Sequence, residues 1–149
     1  MQVKARSIHE AQDLAHTLFR QYGLYDWQFQ VGKAKRRLGV CKYRSKTIEV
    51  SRWVFELCPE NVDNTVRHEV AHAIAGYKAG HGPEWKRVAR ELGANPKSCA
   101  KVKPEQTAPK RWVLQCPKCG WEGYGTYRRR SKRYRSRCCK ETFLNKRVG

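Results

Sequence analysis

HEVAHAIAGYKAGHGPEWKRVARELG, residues 68–93, decides how the rest of the chain is read. His68 and His72 are four positions apart, so on a helix they sit one turn above each other and both imidazoles can reach one cation. Glu69 points off to the side, where it can reach a water on that cation. Two histidines and an offset glutamate on one helix are what a zinc hydrolase needs. Asn61 to Asn64 supplies several N-cap candidates, so the helix is expected to run from there through Ala79 and close at Gly80. Pro83 suits a first helical position, and a second helix over Glu84–Leu92 closes at Gly93.

A catalytic zinc takes three protein ligands and leaves a position for water. His81 is the nearest candidate for the third, since a turn after Gly80 can fold it back. The spacing does not fit H-E-x-x-H-x-x-G-x-x-H, because residue 75 is Ala and residue 78 is Lys. Glu84 and Glu91 are rival ligands. A first-turn charge favoured by the helix dipole is the plainer account of Glu84, and a solvated side chain that of Glu91. The plain account of His68 and His72 is a pair of surface or core histidines. Their place on a helix, and three of five histidines falling between 68 and 81, argue against it.

Upstream, Ala11, Leu14, Ala15, Leu18, Phe19 and Tyr22 recur at helical spacing before Gly23, predicting an amphipathic helix over about Ser7–Tyr22. Trp27, Phe29 and Val31 alternate as a strand does. Leu38–Tyr43 and Thr47–Ser51 flank Arg44-Ser45-Lys46 as a hairpin, and Trp53–Leu57 reads as a short helix. The class is α+β: a helix, a three-stranded antiparallel sheet, the histidine helix and a following helix.

The 149 residues suit one domain with an appendage. Lys plus Arg is 32 against 13 Asp plus Glu, a formal net charge of +19. Such a field attracts polyanions, nucleic acid first and an anionic membrane surface second. No apolar stretch follows the charged start, and the longest weakly polar run, Val70–Tyr77, is interrupted by His72. A secretory signal and a membrane span are therefore not expected, and the expected place is the cytoplasm, on DNA. The charge divides unevenly, +9 over residues 1–103 and +10 over 104–149. The boundary falls in Lys101–Lys110, which reads as a linker, so the expected domains are 1–103 and 104–149.

Seven cysteines, an odd number with four crowded in the last third, favour metal ligation over disulfides. Cys116-Pro117-Lys118-Cys119-Gly120 is a knuckle, and Cys138 with Cys139 is the candidate second pair for a structural zinc. Cys41, Cys58 and Cys99 read as small buried residues. Between the pairs lies RRRSKRYRSR, residues 128–137. Arg128, Arg129, Arg130, Lys132, Arg133, Arg135 and Arg137 can neutralise phosphates, and Tyr127 and Tyr134 can stack on unpaired bases. No base-reading motif is visible, so the expected partner is DNA without sequence specificity, single strands included, bound by a monomer.

The stretch quoted first resembles the core of the SprT-like (Spartan-type) zinc metalloprotease family: H-E-x-x-H, a variable stretch, then H-G-x-x-[WF] opening a helix. His68, Glu69, His72, His81, Gly82 and Trp85 carry the match. LGVCKYRSKTIEVS, residues 38–51, resembles the family's hairpin. The resemblance implies a minimal zincin fold, His81 as third zinc ligand, and proteolysis of DNA-bound proteins, including those crosslinked to DNA. It also implies a C-terminal zinc ribbon. If Tyr134-Arg135-Ser136 aligns with the family's tyrosine-arginine-cysteine run, Ser136 replaces the first cysteine, Cys139 keeps the second, and Cys138 substitutes as fourth ligand. The leading expectation is a DNA-dependent zinc endopeptidase with Glu69 as general base. The alternatives are a non-catalytic, zinc-containing nucleic-acid-binding protein and a zinc hydrolase acting on something other than protein.

Overall fold

In a computed structural model, residues 4–97, 111–125 and 135–147 are described. The chain divides into two compact units, Met1–Thr107 and Ala108–Gly149.

The first unit is built around one helix. Helix α1 (Ile8–Gln21) starts at a capping box. The Ser7 hydroxyl accepts from Glu10 N, and the Glu10 carboxylate accepts from Ser7 N. Its Ala11, Ala15, Leu18 and Phe19 are buried. Strand β1 (Gln28–Gly32) follows, then β2 (Gly39–Lys42), β3 (Thr47–Ser51) and the short α2 (Arg52–Leu57). Helix α3 (Val62–Ala75) touches α1, β2, β3 and α4 (Pro83–Leu92). Val62, Val66 and Val70, each one turn from the next, are wholly buried and fix the rotation of α3 about its axis. A buried ion pair anchors the same helix: Arg67 Nε donates to Asp63 Oδ1 at 2.7 Å, and Arg67 Nη1 donates to Leu92 O at 2.6 Å. Asp63 Oδ2 also accepts from Ala5 N at 3.0 Å.

Two expectations are corrected. The sheet is mixed, not antiparallel: its order is β1-β3-β2, with β2 antiparallel to β3 but β1 parallel to it. The tight turn at Arg44–Lys46 forces the hairpin to be antiparallel. The crossover over residues 33–38 carries the chain past the end of β3, so β1 meets the opposite edge running the same way. Ser51 pins that crossover, its N–H donating to Leu38 O at 2.8 Å and its hydroxyl to Ala34 O. The histidine helix ends at Ala75, not Ala79. Gly76 adopts φ 90°, which stops the helix, and a single 3-10 turn over Tyr77–Ala79 follows. At the helix start, Asn61 occupies the N-cap position without a side-chain capping bond.

In the second unit, β4 (Trp112–Gln115) lies between β5 (Glu122–Gly125) and β6 (Leu144–Arg147), both antiparallel to it. The class is thus α+β with two small three-stranded sheets. Among the described residues no helix is long and apolar enough to cross a membrane.

Gly39 marks where the sheet meets α3. A Cβ there would lie 2.8 Å from Glu49 O, 2.9 Å from Thr65 Cγ2 and 3.2 Å from Glu69 Cγ. The first is a backbone atom, so relief requires the strand and helix to part. Gly39→Ala should cost about 1–3 kcal/mol, read as a lower urea midpoint with unchanged slope.

Candidate metal centre

Three imidazoles converge at the C-terminal half of α3. His72 Nε2 lies 3.1 Å from His81 Nε2, which lies 3.3 Å from His68 Nε2. The early stop makes this possible. Gly76 ends the helix one turn after His72, and Gly80, at φ 51°, folds the chain so that His81 returns over that last turn. Trp85, on the first turns of α4, is wholly buried and underlies all three rings. Its centroid is 4.7 Å from that of His68, 5.2 Å from that of His72 and 4.7 Å from that of His81. Trp85 Nε1 also donates to His68 O at 3.4 Å.

The donor set suits zinc. Zn–N bonds of about 2.0–2.1 Å in a tetrahedron space the nitrogens about 3.3 Å apart. The two observed separations come close to that. Burial, reinforced by the neighbouring imidazoles, pushes His68 and His72 down to about 4. Both rings are therefore neutral at pH 7, the form a metal requires. Glu84 is exposed and paired with Arg87, and Glu91 accepts from Arg87 and from the Tyr22 hydroxyl. Neither belongs to the histidine cluster.

Glu69 is buried beside this cluster, only 8 % exposed. Burial pushes its carboxyl up to about 7, while the charge of Arg37 and the N–H of Cys41 pull the other way. The β2 strand supplies both its cover and its neighbours. Cys41 and Tyr43 lie close, each raised to about 12 chiefly by burial, and the Tyr43 ring meets Tyr77 edge-on at 5.6 Å. Arg37, Gly39 and Trp85 shape the site although only Trp85 left a local sequence signal, its place in H-G-x-x-W.

The second unit holds another cluster. The sulfurs of Cys116, Cys119, Cys138 and Cys139 all lie within 4.8 Å of one another, with Cys119 and Cys138 at 3.4 Å. A tetrahedral zinc with Zn–S bonds of about 2.3 Å would space them about 3.8 Å apart, so the donor set is compatible with zinc. The backbone explains the adjacent cysteines. Gly120 N donates to Cys116 O and Cys116 N to Trp121 O. Lys140 N donates to Ser136 O and Ser136 N to Glu141 O, the same turn repeated. Gly120 (φ 78°) and Lys140 (φ 58°) take matching left-handed positions. Ser136 thus stands where the second turn would carry its first thiol, and Cys138, two residues on, brings a sulfur into the cluster instead. The buried Ser136 hydroxyl donates to Cys116 Sγ at 3.5 Å and accepts from Glu141 N. That hydroxyl, with the N–H groups of Cys119 and Lys118, pulls the Cys116 thiol down to about 6.

Cys41 and Cys58 are buried in the core. Arg135 and Arg137 are placed on the second turn. Arg128, Arg129, Arg130, Lys132, Arg133, Tyr127 and Tyr134 lie outside the described residues, as do Cys99 and the 101–110 segment.

Elemental analysis of the full chain should find about two zinc ions. Replacing Cys116 and Cys119 together, or His68 and His72 together, should each reduce the count to one. Ser136→Cys should leave the count at two and permit Cys138→Ala without loss of metal, because the restored thiol occupies the repeated turn.

Comparison with known proteins bears on the first unit. A family model described as the SprT-like family matches residues 8–105, about two thirds of the chain. No curated protein and no solved structure matches.

Proposed function

The chain belongs to the SprT-like family, whose domain is metalloprotease-like, and from that premise we propose that it is a DNA-dependent zinc metalloendopeptidase. Its substrates are proteins bound or crosslinked to DNA. The observation that carries the reading is the convergence of three histidine Nε2 atoms beside a buried carboxylate within the matched unit.

His68, His72 and His81 would hold the zinc, and Trp85 packs against all three rings. Zinc, when bound, supplies a Lewis acid that polarises a carbonyl and acidifies water. Glu69 does the proton work. Its carboxylate takes a proton from the attacking water and returns it to the leaving amine. A group whose pKa is near 7 is matched to that double role at neutral pH. Closing one face of the carboxylate with Gly39 and Cys41 keeps solvent from competing for it.

The reading of the second unit is a zinc ribbon that holds the enzyme on DNA. The four-cysteine cluster gives a 42-residue unit a cross-link it needs at that size. Trp121 and Tyr124 are 52 % and 65 % exposed, available to stack on unpaired bases, and Arg135 and Arg137 add positive charge to the same unit. Tethering raises the local concentration of proteins on the same DNA, so a deep specificity pocket is not required. A non-catalytic zinc site explains less, because burying a carboxylate beside it is costly and a structural site has no use for one.

Glu69→Gln should retain zinc and DNA affinity and lose cleavage of a DNA-bound substrate by at least about 100-fold. Undiminished cleavage would remove Glu69 from the mechanism.

A further inference from the structure

Charge on the first unit is concentrated in the segments that connect and flank its sheet. Residues 28–53 hold eight Lys and Arg against one acid, Glu49, a net charge of +7. Residues 1–103 together carry +9, so the rest of that span is nearly balanced. Lys42 and Arg37 have a common support. Gln28, Gln30, Lys42, Thr47 and Glu49 share the face of the sheet turned away from α3, as their hydrogen bonds show. Glu49, 8 % exposed, is the anchor: it accepts from Gln30 Nε2 at 2.7 Å and Lys42 Nζ at 3.0 Å, and Arg37 Nη2 stands 3.7 Å away.

The crossover bounding this face carries Lys33, Arg36 and Arg37, all exposed, and its two ends are pinned by Ser51. Arg44 is exposed at the hairpin turn, at the other end of the edge strand β2. From Arg37 to Arg44 such a strand spans about 23 Å. Gly39, two residues after Arg37, joins the crossover to the site, since a Cβ on it would lie 3.2 Å from Glu69 Cγ.

We propose that this outer face and its crossover form a contact site for the DNA sugar-phosphate backbone, so that the catalytic unit itself, and not the C-terminal unit alone, sits on nucleic acid. The proposal rests on the DNA-dependent reading given above. A face kept only for solubility mixes both signs, whereas here two acids, Glu49 toward Lys42 and Arg37 and Asp26 toward Lys46, stand against eight cations. An anionic membrane fits less well. The large exposed apolar side chains of the unit, Ile8, Tyr25, Leu57 and Tyr77, all lie outside residues 28–53, so the face offers little to insert into lipid. The contact would bring DNA to the rim of the active site and put a protein carried on that DNA within reach of Glu69.

The test uses the full chain and a Lys33→Gln/Arg36→Gln/Arg44→Gln variant, all three outside the catalytic machinery. Binding to a labelled oligonucleotide, single-stranded and duplex, is followed over a salt series. Each lost phosphate contact lowers the slope of log affinity against log salt by about 0.7–0.9, so the variant should lose about 2–3 from the slope and at least about tenfold in affinity near 150 mM salt. DNA-stimulated cleavage should fall in parallel, while the zinc content and the urea midpoint of the variant stay the same. Arg36→Lys/Arg44→Lys, which keeps the charge, should bind as the wild type does. An unchanged slope and affinity in the Gln variant overturns the proposal, as does selective loss of binding to phosphatidylserine vesicles. Equal DNA stimulation of both proteins overturns the site and leaves the protease reading standing. A changed slope in a wild type that cleaves nothing does the reverse.

Discussion

The burial of α3 on nearly every side is the constraint on which the first unit depends. Val62, Val66 and Val70 set its rotation against the core, and Asp63 with Arg67 ties its first turns to Ala5 and Leu92. With rotation and axial position fixed, His68 and His72 must face α4, and Glu69 must face β2. The geometry of the histidine cluster and Glu69 is thus a by-product of packing the helix. A side-chain site on such a rigid element loses little entropy when it binds a metal.

Two glycines convert that constraint into a three-histidine cluster. Gly76 and Gly80 hold backbone conformations that other residues rarely adopt, and the short turn between them returns His81 to within 3.3 Å of the helix pair. Gly39 works by a different route. It lets β2 approach α3 so closely that Glu69 is largely buried. The same approach raises the pKa of the carboxylate, so a packing detail and a chemical property have one cause.

The second unit solves a similar problem with fewer residues. Its repeated turn is encoded by backbone hydrogen bonds at Cys116 and at Ser136, and these survive although one position is not a cysteine. Cys138, two residues on, makes up the sulfur count. The fold of the turn and the identity of its ligands are therefore separable, and the hydroxyl left at Ser136 supports the thiol of Cys116 rather than replacing one.

Much was legible in the sequence because it is local. Helical spacing of apolar residues, the turn at Arg44–Lys46, Pro83 and Gly93, and the H-E-x-x-H and C-x-x-C spacings each depend on residues within a few positions of one another. The end of α3 was misplaced because Ala73–Ala79 has the composition of a helix. The left-handed backbone at Gly76, imposed when the turn closes over His72, outweighs that propensity. The parallel pairing of β1 was not legible, because periodicity reports which face of a strand is buried and not which edge it joins. Arg37, Gly39 and the shared face of the basic sheet residues were likewise invisible. Their roles come from contacts across the fold, Glu49 to Arg37 and Gly39 to Glu69. The sequence by itself determined the ligand types, their helix and the net charge. Only the tertiary structure decided which nitrogens meet, which carboxylate is buried and where the charge gathers, since each is a distance between residues remote along the chain.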